Sequence, residues 1–158
     1  MDLRDAVKMG RRLMDGHGLK HWTFRLDSAK QRFGICKYGP RVISISQHLA
    51  RLNDESTVRN TILHEIAHAL MGHEAGHGPK WRAKAREIGR DGERCYASTV
   101  SKPEPPLVYA CPECGLTIRR HRRFSKRIAC GRCCKRYSGG AFDPRFVFEL
   151  RRISRGQW

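Results

Sequence analysis

His64 and His68 stand four residues apart, and Glu65 directly follows the first. At 3.6 residues per helical turn, positions i and i+4 share a face, so both imidazoles reach one metal ion. Glu65 is then close enough to handle the proton of a water on that ion. This H-E-x-x-H pattern is suited to metal-assisted hydrolysis. Thr61-Ile62-Leu63 and Ala69-Leu70-Met71 flank it and are apolar enough to bury such a helix. The plainer alternative is a core helix with two hydrogen-bonded histidines and no metal.

A catalytic zinc takes three protein ligands and leaves one position for water. His73 lies five residues past His68, and His77 nine past it. On a continuing helix His73 is rotated by about 140° from His68, a poor direction for the same ion. A break at Gly72 loosens that objection. His77 lies in Gly76-His77-Gly78, where two glycines let the chain turn back. The metzincin pattern needs glycine three and histidine six residues past His68, where this chain has Met71 and Glu74. That pattern is therefore excluded. Glu74 is too close along the chain to serve as a carboxylate ligand.

A second cluster lies downstream. Five of seven cysteines fall between 111 and 134. Cys111, Cys114, Cys130 and Cys133 follow C-x2-C-x15-C-x2-C, the spacing of a structural zinc site. Four thiolates close the tetrahedron, so such a site stabilises rather than catalyses. Cys134 competes with Cys133 for the fourth place. CxxC spacing implies a reducing compartment and metal binding rather than disulfides.

The 158 residues carry a net charge of +17, with 32 Lys+Arg against 15 Asp+Glu. Such an excess calls for a polyanionic partner, with nucleic acid favoured over a membrane surface. Residues 101–158 hold 14 basic and 4 acidic residues, against 18 and 11 in residues 1–100, so the positive charge is densest at the C-terminal end. Arg119, Arg120, Arg122, Arg123, Lys126 and Arg127 surround Phe124 between the paired cysteines. On the two arms of a ribbon hairpin they form a positive strip, with Phe124 able to stack on a base. No basic n-region leads into an apolar run, and no segment approaches a membrane span. The expected location is the cytoplasm, the expected state a monomer.

The elements that must position these groups follow from periodicity. Residues 3–15 have a helical period, stopped by Gly16, His17 and Gly18. Residues 22–26, 32–38 and 41–46 read as three strands with short connections, hence a small antiparallel sheet covering one side of the metal helix. Residues 47–52 predict a helical turn. Asn53, Asp54 and Ser56 are candidate caps for a helix over 55–71. Pro79 opens a further helix with Trp81, Ala85 and Ile88 on one face, closed by Gly89 and Gly92. Three prolines in 101–106 make a stiff linker. Domains are expected over 1–100 and 107–158. The C-terminal segment from Phe142 either packs back on the ribbon or frames its basic face.

With these residues in view, the chain resembles the SprT-like (Spartan-type) zinc metalloprotease family. The likeness rests on His64-Glu65-Ile66-Ala67-His68, then Gly76-His77-Gly78-Pro79-Lys80-Trp81. Upstream it rests on Trp22, Phe24, Arg32-Phe33-Gly34-Ile35-Cys36 and Ile43-Ser44-Ile45-Ser46, and downstream on the four cysteines. The resemblance implies an α+β fold, with a small zincin-like metalloprotease domain followed by a C-terminal zinc ribbon. It implies one catalytic zinc on His64, His68 and His77, Glu65 as general base, and one structural zinc. It also implies cleavage of DNA-bound or DNA-crosslinked proteins, with single-stranded DNA as the favoured ligand and Trp22 or Phe124 stacking on bases. The spacer between His68 and His77 is short, and the long C-terminal partner-binding tails of the family's eukaryotic members are not expected here. One rival is a non-catalytic DNA-binding module with a vestigial site. It predicts a lost base or ligand, whereas Glu65 and three candidate histidines are present. A zinc hydrolase acting on a small molecule or on DNA itself is another.

Overall fold

The structure is a computed structural model and describes residues 1–90 and 100–153, without the side chains of residues 152 and 153. The chain divides into two compact units, Met1–Pro103 and Glu104–Trp158.

In the first unit, α1 (Leu3–Gly16) is capped by Asp2, whose side chain accepts from the amides of Arg4 and Asp5. Its Gly10 lies directly on the Phe24 ring, where a Cβ would fall 2.5 Å from the ring. Strands β1 (Thr23–Asp27), β2 (Gly34–Lys37) and β3 (Val42–Ser46) follow. They form one sheet in the order β1-β3-β2. β2 and β3 make an antiparallel hairpin, but β1 and β3 run parallel, with Phe24 opposite Ile43 and Leu26 opposite Ile45. The all-antiparallel expectation is thus corrected. The link between β1 and β2 lets β3 insert between them, and side chains fix the result. Ser44 Oγ donates to Asp27 at 2.7 Å, and Ser46 Oγ donates to the Ala29 carbonyl.

α2 (Gln47–Leu52) leads to α3 (Glu55–Met71). Of the three cap candidates Asp54 is the one used, accepting from the Thr57 amide at 2.7 Å. Every residue from Thr61 to Ala67 is buried, so α3 is the central helix rather than a one-faced surface helix. It ends at Gly72, whose φ of 77° is a left-handed value that glycine adopts without steric cost. A 3-10 turn, His73–Ala75, leads to α4 (Pro79–Glu87), with Pro79 in its first turn. Trp81, Ala85 and Ile88 are buried as its period predicts. Gly92 lies outside the described residues.

In the second unit, β4 (Leu107–Ala110) pairs antiparallel with β5 (Thr117–Arg120) and with β6 (Glu149–Ile153). The C-terminal segment therefore packs back on the ribbon. α5 (Gly131–Tyr137) starts just after Cys130. Its core holds Cys111, Cys130, Cys133, Cys134 and Phe146. The basic stretch does not occupy two hairpin arms, as its position between the cysteine pairs predicts. Only Arg119 and Arg120 lie on a strand, and residues 121–127 form the connection toward α5.

Candidate metal centre and active site

α3 and the turn after it build the first site. His64 and His68 project from one face of α3, one turn apart. Gly72 stops the helix and the chain folds back through the 3-10 turn, which brings His77 onto the same point. The three Nε2 atoms form a triangle, with His64–His68 at 3.1 Å, His68–His77 at 3.1 Å and His77–His64 at 3.0 Å. His73 is not part of it. Its side chain is 83% exposed and its ring stands edge-on to Tyr38. Glu74 is exposed and outside the cluster.

The triangle has the donor set of a zinc site. Burial first, then the Arg90 charge and the neighbouring imidazoles, lower the His64 pKa to about 3. Burial, then His77 and Arg90, lower that of His68 to about 4. Both rings are neutral at pH 7 and present lone pairs. Three ring nitrogens turned on one point at this spacing are a donor set that one shared cation can bridge. A tetrahedral zinc, bonded at about 2.0–2.1 Å, spaces its nitrogens roughly 3.3–3.4 Å apart, close to what is observed.

Trp81 forms the floor. Its fully buried ring lies 4.7 Å from His64, 5.2 Å from His68 and 4.7 Å from His77, centroid to centroid. The Arg90 guanidinium lies 5.4 Å from the centre of that ring. Trp81 is legible in sequence as a core residue of α4, but its contact with all three imidazoles is not.

The three histidines open into a cleft of about 460 Å³, lined also by Gly34, Ile35, Cys36, Tyr38, Glu65 and His73. β2, an edge strand, is one wall. Glu65 is 5% exposed and faces that wall at Gly34. Burial first, then the Glu65 charge, push the Cys36 thiol up to about 12. Burial, then the Cys36 and Glu65 charges, push the Tyr38 phenol up to about 12. Both groups therefore remain protonated at neutral pH. Sequence reasoning assigns neither to the site; the signal available for them is their i, i+2 spacing, with Cys36 on β2 and Tyr38 just past its end.

In the second unit, Cys111, Cys114, Cys130 and Cys133 bring their sulfurs within 4.8 Å of one another. Two edges, Cys111–Cys133 and Cys114–Cys130, are 3.8 Å. A tetrahedral zinc, with Zn–S of about 2.3 Å, requires edges of about 3.8 Å. Cys134 points into the core beside Phe146 instead.

Arg119, Arg120, Arg122, Arg123, Lys126 and Arg127 are all exposed. Arg119 pairs with Glu104 at 3.1 Å. Phe124 is half-buried, 4.7 Å from the Tyr109 ring, with the Arg120 guanidinium 4.7 Å from its centre. It is packed within the unit rather than held out as a free platform. Trp22, the other aromatic expected to stack on bases, is 8% exposed and belongs to the core.

The sequence model of the SprT-like family matches residues 6–101. The chain belongs to the SprT-like family. Among curated SprT-like relatives, Protein SprT of Pseudomonas putida strain W619 is 29% identical over 117 residues, covering 65% of this chain and 71% of its own. Protein SprT-like of Streptococcus sanguinis strain SK36 is 35% identical over 80 residues, covering 48% of this chain and 53% of its own. A crystal structure of the metallopeptidase zymogen jannalysin of Methanocaldococcus jannaschii matches 59% of this chain and 86% of its own. Its TM-score is 0.47 and its identity 18%, a likeness too low to carry a functional argument. Among the described residues of this SprT-like chain, no helix is long and apolar enough to cross a membrane.

Proposed function

We propose that this SprT-like chain is a zinc-dependent endopeptidase that binds DNA and cleaves proteins bound or crosslinked to it. The observation that carries the peptidase reading is the His64–His68–His77 triangle beside Glu65 in an open cleft. His64, His68 and His77 would hold the catalytic zinc, and Cys111, Cys114, Cys130 and Cys133 the structural one. Bound there, zinc supplies a Lewis acid that polarises a carbonyl and acidifies water. Glu65 takes the proton of the attacking water and hands it to the leaving amine as the peptide bond breaks. Its burial in the cleft wall keeps the carboxylate oriented for both transfers. Among the described residues β2 has a strand neighbour on one side only, and an edge strand lining the cleft favours an extended peptide over a small molecule.

The DNA reading rests on charge. The chain carries +17, and the exposed basic residues of 119–127 have no comparable acidic partner set; Arg119 with Glu104 is the ion pair found there among the described residues. Such a surface binds phosphates regardless of sequence. The test offers one substrate protein in two forms, free and bound to single-stranded DNA. Faster cleavage of the bound form supports the proposal. Equal rates on both forms would remove DNA from it.

A further inference from the structure

We propose that Gly34 is a positioning residue for Glu65: the space left by its missing side chain is where the carboxylate is seated. This rests on the peptidase reading for its consequence, but the contact itself does not.

A Cβ placed on Gly34 would meet Glu65 Oε1 at 2.5 Å, Cγ at 2.8 Å and Cδ at 2.9 Å. Real Cβ atoms do not approach so closely, so something must shift. The strand cannot. Gly34 pairs with Ile45, which is fully buried, and the preceding Phe33 is 1% exposed. The Phe33 carbonyl accepts from the Ser46 amide at 2.7 Å. The helix cannot retreat either, because Leu63 and Ile66 beside Glu65 are fully buried. What remains movable is the Glu65 side chain. Any residue larger than glycine at 34 swings the carboxylate away from the position it holds beside the histidines.

The backbone gives no other reason for this glycine. Gly34 is not among the residues with positive φ. Gly34 opens β2, and glycine loses more chain entropy on being fixed there than alanine would. Gly10 shows the same close approach against the Phe24 ring, where it serves packing alone. At Gly34 the neighbour is the group that moves the proton.

The experiment is a double-mutant cycle read by thermal unfolding. Gly34→Ala is made in the wild-type chain and in a Glu65→Ala chain, with bound zinc measured in all four proteins. In the wild-type background Gly34→Ala is expected to lower Tm by about 5 °C or more. In the Glu65→Ala background it is expected to leave Tm unchanged or raise it. Equal losses in both backgrounds, including failure of both to fold, would overturn the contact. Kinetics then test positioning: Gly34→Ala should lower kcat about tenfold or more on a protein substrate, with KM within about twofold and zinc content unchanged. Full kcat in Gly34→Ala would overturn the positioning role even with the contact intact. If the wild type itself cleaves nothing, the peptidase reading fails while the Tm cycle still decides the contact.

Discussion

Nε2 of His77 lies 3.0 Å from Nε2 of His64, although thirteen residues separate them. Gly72 and the 3-10 turn after it make that approach possible. The positive φ at Gly72 ends α3 one residue before His73, which sends His73 outward and carries His77 back. Replacing His77 with alanine should therefore remove the catalytic zinc and leave the cysteine-bound ion. His73→Ala should retain both. Metal analysis of the two variants checks this, and loss of zinc from His73→Ala alone would reverse the assignment.

Trp81 fills the floor under all three imidazoles, so its removal should act twice. Trp81→Ala leaves a cavity in the core and is expected to cost about 3–5 kcal/mol of stability. It also frees the rings it holds, which should weaken zinc binding by about 10–100-fold. Denaturant unfolding and competition with a chelator measure the two effects separately. Normal zinc affinity in a destabilised Trp81→Ala protein would confine the indole to packing.

The lowered pKa values of His64 and His68 fix the sign of a pH effect. In the folded metal-free protein they stand at about 3 and about 4, against an ordinary 6.5. Below 6.5 the unfolded chain therefore binds more protons than the folded one. Stability is complete above that pH and falls as the pH drops through 6.5 toward about 3. Melting of chelator-treated protein from pH 7.5 downward should show this loss, and a His68→Asn variant should show less of it. Identical slopes in both proteins would contradict the prediction.

The exposed side chains of Arg122, Arg123, Lys126 and Arg127 should neutralise phosphates of a bound strand. Changing them to alanine is expected to weaken single-stranded DNA binding. The slope of log affinity against log salt should become shallower by about 0.7 for each phosphate no longer neutralised. A binding series over several salt concentrations reads this, and an unchanged slope would move the DNA-binding surface elsewhere.

Much of the candidate site is legible in the sequence because its determinants are local. The cap candidates Asn53, Asp54 and Ser56 and the glycine at 72 bracket α3, and the spacing inside it gives His64, Glu65 and His68. The two CxxC pairs likewise announce their sulfur cluster. Less is legible where distant segments meet. Alternation in 22–26 and 41–46 is the same whether strands run parallel or antiparallel, so the parallel β1–β3 register, with its Asp27–Ser44 contact, cannot be read from it. The second CxxC opens α5, a helix of seven residues, too short to show a period in Arg132-Cys133-Cys134-Lys135-Arg136. Phe124 reads as a free ring because Tyr109, fifteen residues away, is the one that packs against it. Gly34 reads only as part of a strand, since nothing local reveals that Glu65 lies against it.

The central claim is that Glu65 moves the proton at a three-histidine zinc. Its most direct measurement compares wild type and Glu65→Gln on the same DNA-bound protein substrate, with zinc counted in both. Cleavage should fall by about 10²–10⁴-fold in Glu65→Gln, while both proteins hold the same amount of zinc. Equal cleavage by the two proteins, or none by either, would contradict it.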